Sequence, residues 1–212
     1  MRSIPPGRAG RLFLLAKIGA ARRSSELLDQ KRQLLMREEA RVATLFDSTR
    51  DEWDRACGEA DEWLARMTLL GGQRELQVLA SGREGRAELE VEWKSWMGFE
   101  QPAAGRSELP RADPLLDASG NAAGAPAVDA YRRALEAALA HGVAAEARRR
   151  VISELSSTRR RLRSITHRRI PALELLLHEL ELRLDAAELE EHVVSRWARQ
   201  SQARDTGPAR TA

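Results

Sequence analysis

Cysteine is nearly absent. Cys57 is the only one in 212 residues, so no disulfide can close within the chain, and a reducing compartment, by default the cytoplasm, is expected. Aromatic residues number nine, five of them tryptophan, while 32% of the chain is charged. That leaves little material for two well-packed globular cores and favours an elongated form. No apolar run approaches the ~18 residues of a membrane span, and the opening MRSIPPGRAG is too polar for a signal peptide. Direct membrane insertion is therefore not expected. Proline is missing between Gly7 and Gln101, four prolines fall between Pro102 and Pro126, and Pro171 alone follows until Pro208. Long proline-free stretches suit helices. What is plentiful agrees: Ala, Arg, Leu, Glu and Lys make up 120 of the 212 residues, a composition of long helices and coiled coils that argues against a β-sandwich or barrel.

Leu14, Ala21, Leu28, Leu35, Val42, Thr49, Ala56, Trp63 and Leu70 lie seven residues apart, with Thr49 the single polar member. A partner seam reads Phe46, Trp53, Ala60 and Met67, and Leu27 and Leu34 widen the stripe earlier. In the last third, Ile170, Leu177 and Leu184 alternate with Leu173, Leu180, Ala187 and Val194, whereas Val151, Leu155, Thr158, Leu162 and Ile165 keep a different phase. Sustained heptads indicate a coiled coil, and the slip near Pro171 predicts a kink or stutter. The fold class expected is all-α, a long antiparallel two-helix coiled coil of N- and C-terminal helices with a small middle insert. The divisions are a tail over 1–11, a first helix over 12–70 stopped by Gly71-Gly72, an insert over 71–127, a short helix and second long helix over 128–200, and a disordered tail over 201–212. Gly142 is expected to set off the short helix. Two helices of roughly 85 to 90 Å would pair with residue numbers summing to about 212. In that register the acids of 174–191 face Arg22, Arg23, Lys31, Arg32, Arg37 and Arg41. Arg159 to Arg169 face Asp47, Asp51, Glu52 and Asp54, and Arg148 to Arg150 face Glu59, Asp61 and Glu62.

Within the insert, the alternation from Ala87 to Trp93 reads as one strand of a small hairpin. The stretch from Pro102 to Ala127, rich in Pro, Gly, Ala and Ser, reads as a long loop.

The residues that bear chemistry form no catalytic set. His141, His167, His178 and His192 lack the spacing that puts two histidines on one helix face, Gly71, Gly72, Gly82 and Gly85 are not followed by Gly-Lys-Ser/Thr, and Cys57 reads as a small packing residue on the seam. Neither a metal nor a cofactor is expected. The arginine run of 158–169 has no interleaved aromatic for base stacking, so a charged coiled-coil flank is the preferred account and nucleic acid is not an expected partner. Trp53, Trp63, Trp93 and Trp96 read as structural; Trp197, near a basic end, is a candidate partner contact. Two classes fit the pattern so far: a coiled-coil adaptor or scaffold, and a basic helical RNA-binding arm.

Two stretches carry a family resemblance. Residues 6–12, PGRAGRL, lead into Ala21-Arg22-Arg23 and then LLDQKRQL over 27–34. Arg160-Arg161 is followed by Ile170-Pro171, Leu173, Leu180 and the run LDAAELEE over 184–191, ending in Arg196 and Arg199. In this the chain resembles the D subunit, the central rotor shaft, of vacuolar/archaeal-type (V/A-type) rotary ATPases, departing from the family pattern at Arg163, Thr166 and Ala186. The resemblance implies a non-catalytic rotor coupling ATP hydrolysis or synthesis in a head to proton or sodium transport through a membrane ring, peripheral to the plasma membrane. The implied partners are catalytic and non-catalytic head subunits, a small companion rotor subunit, and a further subunit linking the shaft to the ring. Tip contacts are expected at Arg8, Arg11, Lys17, Arg196, Trp197 and Arg199, in a region where residues 1–25 hold six Arg or Lys and no acid. The coiled-coil seam is expected at Leu28, Leu35, Val42, Trp53, Trp63, Leu173, Leu177, Leu180 and Leu184.

Overall fold

A computed structural model describes residues 5–81, 87–109 and 122–205. Helix α1 spans Gly7–Ser81, strand β1 Glu88–Trp96, strand β2 Phe99–Glu108, and helix α2 Gly124–Ser164; a π-helical turn at Ile165–Arg169 leads into helix α3, Ile170–Asp205. The fold is the expected long two-helix coiled coil with a small β-hairpin. Two units divide it: one combines Met1–Gln30 with Arg159–Ala212, the other is Lys31–Thr158. Gly82, Gly85, part of the expected loop (110–121), the first four residues and the tail beyond Asp205 lie outside the described residues.

In the first unit, Leu14, Ile18 and Ala21 are buried on α1, while Leu173, Leu177, Leu180 and Leu184 are half-buried on α3. Three cross-helix ion pairs fix the alignment: Arg8 with Glu188 at 3.0 Å, Arg11 with Glu181 at 2.8 Å, and Arg22 with Glu174 at 2.8 Å. Gly10 is a point of close approach, because a Cβ there would collide with the Pro5 carbonyl oxygen and press on Leu180 Cδ2 at 3.2 Å.

In the second unit the seam residues fill three clusters. Leu35 and Val42 meet Ala147, Val151 and Leu155, with Trp96 and Phe99 of the hairpin packed on them. Ala60 meets Ala130 and Ala134 beside Cys57 and Trp63, and Met67 meets Ala123 and Ala127. Small alanines on α2 let it approach the large α1 side chains closely. Between the clusters, His141 stacks on Trp53 with ring centres 5.4 Å apart and tilts against Phe46 at 4.7 Å. Thr49, the polar seam member, donates its hydroxyl to the Leu45 carbonyl at 2.8 Å and lies 3.3 Å from His141 Nδ1. The Thr49 oxygen is also 3.1 Å from the Phe46 carbonyl, so the seam's polar member is satisfied within its own helix and beside the imidazole.

The pairing register differs from expectation. Partner numbers sum to about 192, as 8 with 188 and 22 with 174 in one unit, and 49 with 141 and 59 with 133 in the other. The expected sum came from stopping α1 at Gly71 and starting its partner after Gly142. In fact α2 passes straight through Gly142, where a Cβ would meet nothing within 4 Å, and begins near Gly124. Glycine costs about 1 kcal/mol in a helix interior, and packing of the adjoining His141 offsets it. Charge matching could not expose the error, since 32% charge offers opposite pairs at many shifts. Glu59 therefore meets Arg133, Tyr131 donates to Asp61 at 3.3 Å, and Arg149 and Arg150 bind Glu146 on their own helix.

The phase slip near Pro171 takes the form of the π-turn. Ile170 N–H reaches the Ile165 carbonyl, so one extra residue fits in the turn, and the seam steps five residues from Ile165 to Ile170 without leaving its face. The kink in α1 falls at Gly72, with φ 68° and ψ −174°, a left-handed conformation that glycine tolerates. Beyond it Leu76 packs beside the Met67 cluster.

β1 and β2 pair antiparallel from Glu88 opposite Glu108 to Trp96 opposite Phe99, with a bulge where Glu92 pairs with Ala104 and Trp93 with Pro102. Pro102 marked the start of a loop in the sequence. A two-stranded ribbon has a free edge, and the bulge accommodates a residue with no N–H to donate. The turn has Met97 at φ 49° and Gly98 at φ 84°, the two positive φ values of a type I′ turn that matches strand twist.

Candidate partner-binding surfaces

The hairpin is clamped to the helices by cations. Lys31 Nζ donates to the Met97 carbonyl at 2.9 Å and pairs with Glu154 at 2.7 Å. One ammonium thus holds the strained turn residue and α2 together. Arg150 donates to Glu146 at 2.7 Å and to the Glu100 carbonyl at 3.1 Å, with its guanidinium 4.5 Å over the Trp93 ring. The Glu146 carboxyl is held down at about 2 by hydrogen bonds from Arg149 and Arg150. Glu38 is lowered chiefly by its hydrogen bond from Arg41, and it also accepts from the buried Gln101 amide at 3.2 Å. Sequence reasoning missed Lys31, Arg150, Glu38 and Gln101 as a set. The available signal was the Trp96-Met-Gly-Phe99 turn, which marks a two-residue hairpin and implies something to hold it.

The expected tip contacts separate into two groups. Arg8 and Arg11 are exposed yet engaged with Glu188 and Glu181, so α3 acids partly neutralise the basic N-terminal end. Lys17 Nζ lies 5.3 Å from the Phe13 ring centre. Arg196, Trp197 and Arg199 sit farther along α3, where residues 185–201 are all exposed; Arg199 donates to Ser195 at 3.3 Å. The structure does not bring these three to Arg8 and Arg11. Because α1 starts at Gly7 and Arg8 already pairs with Glu188, the later turns of α3 have no α1 residues opposite. Leu189, Val193, Val194 and Trp197 are consequently open to solvent, 63% to 74% exposed.

Of the expected seam residues, Leu35 and Val42 are fully buried, and Leu28, Trp53 and Trp63 half-buried. Among the described residues no group of three His, Cys, Asp or Glu is placed to hold a metal ion, and no helix is long and apolar enough to cross a membrane.

Paired heptad helices with a docked hairpin, and apolar turns of one helix left exposed, define a helical coiled-coil protein. The family model for the D subunit of ATP synthase matches residues 13–200, and the chain belongs to that family. The D subunit of an A-type ATP synthase from Pyrococcus furiosus is 28% identical over 193 residues, covering 88% of this chain and 89% of its own. A protein of the same name from Pyrococcus horikoshii is equally similar, and one from Methanoregula boonei is 24% identical over 196 residues, 90% of this chain and 93% of its own.

Proposed function

We propose that this chain is the central-stalk rotor of a V/A-type ATPase, coupling ATP hydrolysis or synthesis in the head to proton or sodium movement through a membrane ring. The observation that carries the reading is the antiparallel pairing of long helices along apolar seams, found in both units. Two packed helices resist twisting better than one, and cross-helix ion pairs oppose slippage, as a torque-bearing element requires. The shaft performs no chemistry. It turns within catalytic and non-catalytic head subunits, holds a small companion rotor subunit, and engages a further subunit that links it to the ring, peripheral to the plasma membrane. Lys17, Arg196, Trp197 and Arg199, with Arg8 and Arg11, contact the head. The test adds the chain to a head complex lacking its shaft and records hydrolysis and rotation of an attached bead. Binding with rotation is expected; absence of both at every concentration overturns the reading.

A further inference from the structure

The corrected register changes the standing of the arginine run. Arg159, Arg160, Arg161, Arg163, Arg168 and Arg169 are all exposed. The acids expected opposite them, Asp47, Asp51, Glu52 and Asp54, belong to the other unit. Instead the run shares its unit with Arg22 and Arg23 of α1, where Glu26 and Asp29 are the nearby acids in sequence. Arg22 is taken by Glu174, and Asp29 is itself engaged. Among the described residues, none of the six guanidiniums has an ion-pair or hydrogen-bond partner.

The π-turn and the helical turn before it thus hold a concentration of positive charge that the described residues leave uncompensated. At about 100° per residue, Arg159, Arg160, Arg161 and Arg163 spread through roughly 200° of the helix circumference. Such an arc is unlike a stripe meant for one flat surface. It also lacks the aromatic platforms on which nucleic-acid bases stack. We infer that residues 159–169 form a basic collar that docks an acidic protein surface curving around the helix pair. On the rotor reading, that surface is carried by the head; this identification rests on that reading, whereas the charge preference does not. Charge distributed around an arc attracts an acidic wall over a wide range of angles, so the collar holds its partner without fixing one orientation.

Two measurements on the full-length chain test this. The first titrates it with fluorescent poly-L-glutamate and, separately, with poly(U) RNA, at low and moderate salt. The second measures its affinity for the shaft-less head. The variant Arg160→Gln, Arg161→Gln, Arg168→Gln, Arg169→Gln changes only exposed side chains, and its helical content and melt serve as the folding control; the pair Arg160→Gln, Arg168→Gln provides a milder step. Expected are poly-glutamate binding that the fourfold variant weakens by about tenfold or more, and head binding that loses a similar factor together with much of its salt dependence. A preference for RNA, or poly-glutamate binding unchanged in the variant, overturns the collar. So does head binding with unchanged affinity and salt dependence. If the wild-type chain binds poly-glutamate through these arginines but never binds the head, the collar stands and the rotor reading fails.

Discussion

Lys31 is one of three lysines in a chain with 32 arginines, and its position explains the choice. A compact ammonium with rotatable donors reaches both the Met97 carbonyl and the Glu154 carboxylate from a half-buried site, whereas a planar guanidinium presents a fixed fork. Lys31→Ala should cost about 1 to 2 kcal/mol, the loss of a charged hydrogen bond, and should speed amide exchange in β1 and β2 more than in α1; equal protection of the hairpin would refute the clamp. The Glu146 carboxyl makes a second residue-scale claim. Its pKa is about 2 against an ordinary 4.5, the cause being hydrogen bonds from Arg149 and Arg150. A carboxyl depressed on folding binds its proton more readily in the unfolded chain, so its stabilisation is present above the ordinary value and declines as pH falls through 4.5 toward 2. Glu38, also lowered, acts in the same direction. In thermal melts from about pH 2 to neutral, Glu146→Gln should lose stability relative to wild type at neutral pH, by no more than about 1 kcal/mol for so exposed a pair, and converge with it at the acid end. A constant gap at every pH would show that the ion pair is not the cause.

At the scale of elements, two helices owe their continuity to packing that overrides local breakers. Gly142 lies in the middle of α2 with open space where a Cβ would go. Gly142→Ala should therefore raise stability by about 0.5 to 1 kcal/mol, read from the chemical-denaturation midpoint; a loss would mean that the glycine is required there. The π-turn rests on two causes acting together, an extra residue in the seam and a proline. Proline at 171 would clash with the His167 carbonyl in a regular helix, and the wider turn relieves this. Deleting Thr166 alone should lower the melting temperature, because it forces Pro171 back into an α-helical ladder. Deleting Thr166 with Pro171→Ala should melt at or above wild type, and a clear loss in that double variant would refute the account. Much of this architecture was legible in sequence. Eight of the nine seam positions, from Leu14 to Trp63, are buried or half-buried while Leu70 is exposed, and the phase slip fell where the π-turn is. What was not legible depended on contacts between distant segments. Gly142 and Pro102 carry local signals for a break, and neither reveals that His141 is stacked on Trp53 or that the paired strand has a bulge. The register error of about twenty residues followed directly from trusting Gly142.

For the whole molecule, the state of the expected tip residues was only partly visible in sequence, for a physical reason: a charge count locates Arg8 and Arg11 but does not show that Glu188 and Glu181 already occupy them. The apolar side chains past Glu188 are the opposite case. Val193, Val194 and Trp197 follow the helical spacing of a packed face, yet α1 has no residue left to cover them, and they stand 63%, 67% and 74% exposed. Burial lost on removing exposed groups is small, so a chain ending at His192 should keep a melting temperature within about 2 °C of wild type. A rotor whose exposed turns transmit torque should show a different response in its complex. There, ATP-driven ion pumping should fall more than ATP hydrolysis, because a head that has lost its grip on the shaft turns over without driving it. Reconstituted vesicles report both quantities from one sample, pumping by quenching of a pH-sensitive dye and hydrolysis by released phosphate. An unchanged ratio of the two in the truncated rotor would show that these turns do not carry the coupling, and a collapse of the isolated chain's melt would show instead that they belong to its fold.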